Sequence, residues 1–341
     1  MYLRFYPLCW LVYGIILPLG TFQRQAILQN LVVKNYITFL YILLNWKKEE
    51  IFPVCNRHKL LTFSKSNDNI CNTFATYLRQ KKGALMNIDN LHTIFANYIR
   101  KFDVINEPTG HDENYKWRLA SQFPALMNPD SPDFIAGMKK VAGKKLSYNL
   151  INSNHHYPLT ALIKCAETEE TAVRDLFRAL FADDGGSMIM RQKKIDTFIA
   201  GANALTAKAH PEYKDIGQLK NDQRSAMSYL FFNDPERHYL YKYTEVTEFA
   251  KAVEFNDDMG YGSGFKMDVF YRMCDELVAE IRNCDLLLKT TRRRYYNSAG
   301  EKLDGIYEDK NYHILAFDII WGTGITTHAD YNFGEGIPWL S

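Results

Sequence analysis

The chain has 341 residues, of which 47% are hydrophobic and 23% are charged, and its formal net charge is only +2. This length allows two or three domains with a sizeable core, and the composition argues against wholesale disorder, a collagen-like repeat and a polytopic membrane protein. The small net charge gives no global signature of a nucleic-acid-binding protein.

The first quarter of the chain differs from the rest in charge. Residues 1–85 hold 11 Lys/Arg against 3 Asp/Glu, whereas residues 86–341 hold 30 basic and 36 acidic residues. Residues 5–23 and residues 35–46 carry no charged side chain, and the second run is followed by two lysines. We therefore treat residues 1–85 as a separate hydrophobic and basic N-terminal segment.

Three interpretations of this segment stay open. An uncharged run of this length just spans a bilayer, so residues 5–23 could anchor the chain in a membrane. A secretory signal is less consistent, because only Arg4 marks a basic start and no small-residue cleavage site follows. The interpretation we favour is a misplaced start, with the natural chain beginning at Met86 and residing in the cytoplasm.

Apolar residues at helical spacing dominate the sequence after Met86 and predict a helical domain over residues 86–284. The predicted stripes and their caps are Leu91–Phe102 with Asn87 or Asp89, Tyr115–Phe123, Val173–Phe181 with Thr168, Ile195–Leu205, Asp222–Phe232, Val246–Val253 with Thr244, and Phe265–Cys284. The Asp183-Asp184-Gly185-Gly186 run ends the third of these helices, because glycine takes the left-handed cap conformation.

Two short stretches have the composition of strands. Tyr239, Tyr241 and Tyr243 alternate with other residues, and Asn311–Trp321 is dense in β-branched and aromatic side chains. The sequence therefore predicts an α+β fold that is predominantly α-helical, with a short C-terminal strand region. Residues 285–341 are predicted to form a basic loop, this strand and a tail typical of a fragment.

Motifs for chemistry are mostly missing. The sequence has no P-loop, no dinucleotide-binding glycine motif after a strand, no nucleophile elbow and no zinc-protease motif. Its six cysteines form no metal-binding pair. His155-His156, Asp318 and Asp183-Asp184 are isolated from further ligands, so we predict no catalytic residue, no metal site and no cofactor.

One basic cluster could contact nucleic acid. It consists of Lys289, Arg292, Arg293, Arg294, Tyr295 and Tyr296. Arginine forks onto phosphates and tyrosine stacks on unpaired bases, whereas the alternative is a solvated loop between a helix and a strand. Because residues 86–341 are acidic overall, any DNA contact must be local.

Several phrases after Met86 together resemble the region that precedes the ATPase domain in McrB-like AAA proteins of modification-dependent restriction systems. These phrases are MNIDNLHTIFANYIRKFD, HDENYKWRLASQF, ETAVRDLFRALFADD, DPERHYLYKYTEVTEFAKAVEF, FYRMCDELVAEI and NYHILAFDIIW, within residues 86–321. The family's nucleotide-binding motifs have no counterpart here, so no residue inherits ATP hydrolysis.

The resemblance implies a non-catalytic recognition or regulatory region whose partners are DNA, an AAA ATPase domain and a separate nuclease subunit. Recognition of a modified base needs an aromatic pocket and base flipping, for which Trp117, Tyr239, Tyr241 and Tyr243 are the candidates. The alternatives are a membrane-anchored helical adaptor, if residues 5–46 are natural, and a metal-dependent nuclease built around His155 or Asp318.

Overall fold

The computed structural model describes residues 86–107, 112–212, 215–324 and 332–337. The uncharged runs at 5–23 and 35–46, with the rest of residues 1–85, lie outside the described residues. The described chain is predominantly α-helical, as the sequence predicts. Its α-helices are α1 (Ile88–Ile105), α2 (Tyr115–Leu126), α3 (Phe134–Ala142), α4 (Lys144–Ser147), α5 (Pro158–Phe181), α6 (Met188–Ala209), α7 (Gln223–Asn233), α8 (Tyr243–Ala252), α9 (Met267–Arg282), α10 (Asp285–Thr291) and α11 (His313–Gly324).

Local capping chemistry sets several helix boundaries. The Asn87 side chain accepts a hydrogen bond from the Asn90 backbone N at 3.1 Å, which confirms the predicted start of α1. Asp222 and Ser225 form a reciprocal capping box at the start of α7. Gly185 and Gly186, with φ of +59° and +78°, follow α5 in the left-handed conformation that the sequence predicts.

Helix α5 begins earlier than the sequence predicts. It starts at Pro158, and the predicted N-cap Thr168 lies inside it. The backbone leaves helical geometry at the next residue, Glu169, where φ is −130° and ψ is 41°. The capping signal at Thr168 therefore coincides with a kink between two helical segments rather than with a helix start.

The strand predicted over Asn311–Trp321 is wrong, because these residues form most of α11. Its residues are buried on nearly every side, including Ile314, Phe317 and Ile320. A helix without a polar face shows no helical period in its sequence, and its β-branched and aromatic residues then resemble a buried strand.

The tyrosine alternation at 239–243 does not form a strand either. Residues 238–242 belong to no helix or strand, and Tyr243 is the first residue of α8. Tyr239 and Tyr241 are both buried in the core. Within the described ranges the fold is therefore helical with only isolated bridges, such as Ser153 with His156.

The helices share one hydrophobic core. Helix α5 packs along α6, and α8 packs along α11, which also touches α1 and α9. Helix α10 packs against α1 as well. Residues on both sides of position 285, the predicted start of a separate region, thus contribute to the same core.

Residues 332–337 lie against α1 and α11. The Asn97 side chain donates hydrogen bonds to the backbone O of Phe333 and of Glu335, both at 2.8 Å. The Phe333 ring lies 5.1 Å from the Tyr98 ring and fills the space over Gly322 that a Cβ atom would occupy. The segment therefore closes the core next to the candidate site described below.

Candidate functional site

The predicted basic cluster lies at the end of α10 and in the 3-10 turn Arg292–Arg294 that follows it. Lys289, Arg292 and Arg293 are exposed to solvent. Arg293 forms an ion pair with exposed Asp103 on α1, and the Arg292 guanidinium lies 4.9 Å from the Tyr296 ring centre. The structure thus places three accessible cations, which we call the α10 basic surface, next to a half-buried tyrosine.

Arg294 is not part of this surface. Its side chain is fully buried, and its guanidinium lies 2.9 Å from Asp318 and 3.9 Å from the centre of the Trp117 ring. Tyr295 is half-buried, and its hydroxyl accepts a hydrogen bond from Trp117 Nε1 at 3.1 Å. Neither side chain is free to contact a phosphate in this conformation, contrary to the sequence-based expectation for the whole cluster.

A buried ion cluster lies behind the α10 basic surface. It consists of Tyr98, Glu113, Lys116, Arg294 and Asp318, all of them buried. Asp318 accepts from Arg294 and Lys116 and, at 2.8 Å, from the Tyr98 hydroxyl, while Lys116 Nζ lies 2.6 Å from Glu113. Two cations and two carboxylates balance each other, which is the condition under which buried charge is tolerated.

The protonation of the buried ion cluster follows from burial and from its internal contacts. Burial raises the pKa of Glu113, and the nearby Lys116 ammonium opposes this rise. Burial also raises the pKa of the Tyr98 hydroxyl well above its ordinary value, so it remains a donor to Asp318. For Arg294, burial alone would lower the pKa, but Tyr98 and Asp318 raise it above the ordinary value. Arg294 therefore stays charged.

An open groove of about 540 Å³ borders both features. Its lining includes Phe102, Asp103, Asn106, Asn114 and Arg293. Arg294 donates hydrogen bonds to the side chains of Asn106 and Asn114 and so fixes both amides. The groove combines one accessible guanidinium, one aromatic ring and two carboxylates, those of Asp103 and Glu107, so its electrostatic character is mixed rather than strongly basic.

The four aromatic pocket candidates lie in different surroundings. Trp117, Tyr239 and Tyr241 are buried in the core, where Tyr239 donates to Asp275 at 2.7 Å. Tyr243 is 44% exposed and its ring lies 4.6 Å from the Tyr261 ring. The structure does not bring the four together around an open pocket, and only Tyr243 is accessible to a base.

Of the residues considered for metal chemistry, His155 is exposed to solvent, whereas His156, Asp183, Asp184 and Asp318 have structural partners. His156 Nε2 lies 2.7 Å from the Lys220 backbone O, in the loop that precedes Pro158. Burial would raise the pKa of Asp184, but hydrogen bonds from Arg191 and Lys194 outweigh it and hold this pKa well below its ordinary value. Among the described residues, no group of three or more His, Cys, Asp or Glu side chains could hold a metal ion.

Sequence reasoning did not identify Tyr98, Glu113 and Lys116 as members of a polar site. Tyr98 and Lys116 lie in predicted helices. Their partner Asp318 is 220 residues beyond Tyr98 and 202 residues beyond Lys116. No local spacing connects such residues. A charged side chain on the buried face of a predicted helix, as Lys116 is beside Trp117, was the available signal.

None of the described helices combines the length and the apolar character needed to cross a membrane. The chain matches no protein-family model, no curated protein and no solved structure.

Proposed function

We propose that this chain is a non-catalytic recognition or regulatory region that acts with a McrB-like AAA ATPase of a restriction or defence system and contacts DNA. The resemblance of residues 86–321 to the region before that ATPase supports the family, and the helical body is consistent with it. In this proposal the ATPase and a separate nuclease subunit are partners, modified bases are the candidate targets, and this chain itself needs no cofactor.

The observation that carries the DNA contact is the α10 basic surface. Lys289, Arg292 and Arg293 project from consecutive turns into solvent and can approach neighbouring phosphates, Arg293 by exchanging its exposed ion pair with Asp103 for a phosphate contact. Arg294 ties the same turn to the buried ion cluster from inside. A turn held in this way loses little conformational freedom on binding, which favours affinity for a given set of contacts.

No described contact favours the alternatives. Asp318, the carboxylate considered for a nuclease, is engaged by Lys116, Arg294 and Tyr98. The stretch that would form a membrane anchor lies outside the described residues.

Binding of the full chain to short labelled duplexes, with and without a modified cytosine, tests the proposal by fluorescence anisotropy at several salt concentrations. We expect Arg292→Ala/Arg293→Ala to weaken duplex binding about tenfold at low salt and to reduce the salt slope by about 2, because two phosphate contacts are lost. Lys251→Ala/Lys266→Ala is the charge-matched control, since both lysines are exposed and lie elsewhere on the molecule.

Two outcomes would refute this function. One is the absence of any duplex binding at low salt, whether the DNA is modified or plain. The other is an equal loss of affinity in the control variant, which would show that binding follows net charge alone. A preference of the wild-type chain for the modified duplex would in addition support the recognition role.

A further inference from the structure

A second basic surface lies in a part of the chain that carries no acidic residue. Residues 134–166 contain five lysines and two histidines but no Asp or Glu. This segment is exceptional because residues 86–341 hold more acidic than basic residues. The acid-free window was visible in the sequence, but its lysines are dispersed and form no single run.

Four of these lysines face solvent together at the junction of α3 and α4. Lys139 and Lys140 lie in the last turn of α3, and Lys144 and Lys145 lie in α4. We call these four residues the α3–α4 basic surface.

The polar partners of the α3–α4 basic surface are neutral. Lys140 Nζ lies 3.2 Å from the side-chain oxygen of Gln122, and Lys144 Nζ lies 2.6 Å from that of Asn154. Within the described part of the chain, none of the four lysines has an ion pair, whereas Lys251, Lys266 and Lys302 do. Lys139 and Lys140 lie at the C-terminal end of α3, where the helix macrodipole favours positive charge. Helix α4 is a single turn, and its dipole is too small to explain the positions of Lys144 and Lys145 in the same way.

An exposed tyrosine adjoins these lysines in a strained turn. Tyr148 has φ of +47° and ψ of −117°, and the Leu150 backbone N donates to Ser147 O at 2.9 Å. This is the geometry of a type II′ turn, whose second residue is usually glycine because a Cβ atom is strained there. The side chain is nevertheless 42% exposed, with its ring 4.4 Å from the Tyr115 ring. The contact with Tyr115 therefore covers only part of the Tyr148 ring, and the rest of the ring is open to solvent.

We infer that the α3–α4 basic surface and Tyr148 bind single-stranded DNA, with the lysines on the phosphates and the Tyr148 ring stacked on an unpaired base. The inference rests on the proposed DNA-contacting function and adds a strand-binding site to it. Cations combined with an accessible aromatic ring are the elements that single-strand-binding surfaces share. A membrane partner is disfavoured because, among residues 134–157, Tyr148 is the only large exposed apolar side chain.

The test measures binding of the full chain to a labelled oligothymidine of about 20 nucleotides, which is long enough to cover one such surface. We expect Lys144→Ala/Lys145→Ala to weaken this binding about tenfold at low salt and to lower the salt slope by about 1.4, the value for two single-strand phosphates. Lys251→Ala/Lys266→Ala again serves as the charge-matched control.

Tyr148 provides a second and independent variant pair. Tyr148→Gly removes the ring and relieves the turn, so we expect binding to fall about fivefold or more while the melting temperature stays the same or rises. Tyr148→Phe keeps the ring and should bind like the wild type. Loss of binding in a variant that is at least as stable cannot be attributed to unfolding.

Unchanged oligothymidine binding in both Lys144→Ala/Lys145→Ala and Tyr148→Gly would overturn the inference. So would binding of the wild type to phosphatidylserine vesicles but not to oligothymidine. The proposed function is tested separately, by the binding of duplex DNA to the wild type and to Arg292→Ala/Arg293→Ala. A negative result for one surface is therefore distinguishable from a negative result for the other.

Discussion

Arg294 shares one helical turn with Arg292 and Arg293, yet its guanidinium is buried against Asp318 and Trp117 while theirs are exposed. Three successive side chains on such a tight turn point in three directions, so one must face the protein. The inward position of Arg294 is stable because its guanidinium pairs with the carboxylate of Asp318, which belongs to α11. The run of arginines alone does not indicate which of them has a buried acidic partner.

The buried ion cluster predicts unequal effects for adjacent arginines. We expect Arg294→Met to lower the free energy of unfolding by roughly 3–5 kcal/mol, because it leaves Asp318 with less compensation in the core. Arg293→Met, which removes an exposed ion pair, should cost less than about 1 kcal/mol. Urea denaturation of the two variants gives both values.

The double variant Arg294→Met/Asp318→Leu separates the pair from its surroundings. If the two residues stabilise each other directly, its cost falls short of the sum of the single costs by at least about 1 kcal/mol. Strict additivity would contradict the assignment of this contact as the source of the effect.

Two other buried groups give opposing pH dependences. Burial, together with Arg191 and Lys194, lowers the pKa of His238 to about 3, so its contribution to stability is lost as pH falls from 6.5 towards 3. Burial raises the pKa of Asp309 to about 7 despite four backbone hydrogen bonds, so its contribution is lost as pH rises from 3.8 towards 7. Between about pH 4 and 6.5 the two largely cancel.

Removing either group should reveal the pH dependence of stability that the other group causes. Relative to wild type, we expect His238→Gln to gain stability as pH falls from 6.5 to 4, and Asp309→Asn to gain it as pH rises over the same range. Each difference should change by about 1.4 kcal/mol per pH unit, the value for one proton. Urea denaturation at several pH values measures the slopes, and parallel curves for all three proteins would contradict both assignments.

At the scale of elements, the close approach of α2 and α3 depends on one glycine. A Cβ atom on Gly137 would lie 1.9 Å from the Leu126 backbone O, which cannot move without shifting the end of α2. We expect Gly137→Ala to destabilise the protein by about 1–3 kcal/mol or more. Gly264→Ala, with open space around it, is the control, and equal melting temperatures for the two variants would contradict this packing.

The elements that the sequence predicts correctly are those that carry a local signal, either one apolar face or a capping residue. The stripe of α1 and the Asp222 start of α7 need only local spacing, and both are where the sequence places them. Helix α11 is buried on nearly all sides, so its period was hidden. The run from Tyr239 to Tyr241 is buried without a partner strand, and local composition cannot distinguish such a run from a strand.

The candidate site was predictable to the same extent. The accessible members of the basic cluster follow from composition, because charge runs are usually exposed. The tie of Arg294 to Asp318 and the burial of Trp117 depend on contacts between α2, the turn after α10, and α11. Such long-range contacts are set by the packing of whole helices, so they could not be read from spacing.

At the scale of the molecule, the sequence separates residues 86–284 from 285–341, whereas the structure joins them through α1. Helix α1 touches both α10 and α11, and Ile319 of α11 is fully buried in the shared core. Elements that share a core tend to open together, while independent domains open separately.

Hydrogen exchange tests this coupling. We expect Ile319→Ala to lower the opening free energy by roughly 2–5 kcal/mol in peptides from α11 and by a similar amount in peptides from α1. Ile189→Ala, at a position that is 81% exposed, should change neither. A loss of protection confined to residues 285–324 would instead mean that the C-terminal helices open on their own. The buried ion cluster would then break at each opening, because Arg294 and Asp318 lie in that region while Tyr98, Glu113 and Lys116 lie in α1 and at the start of α2.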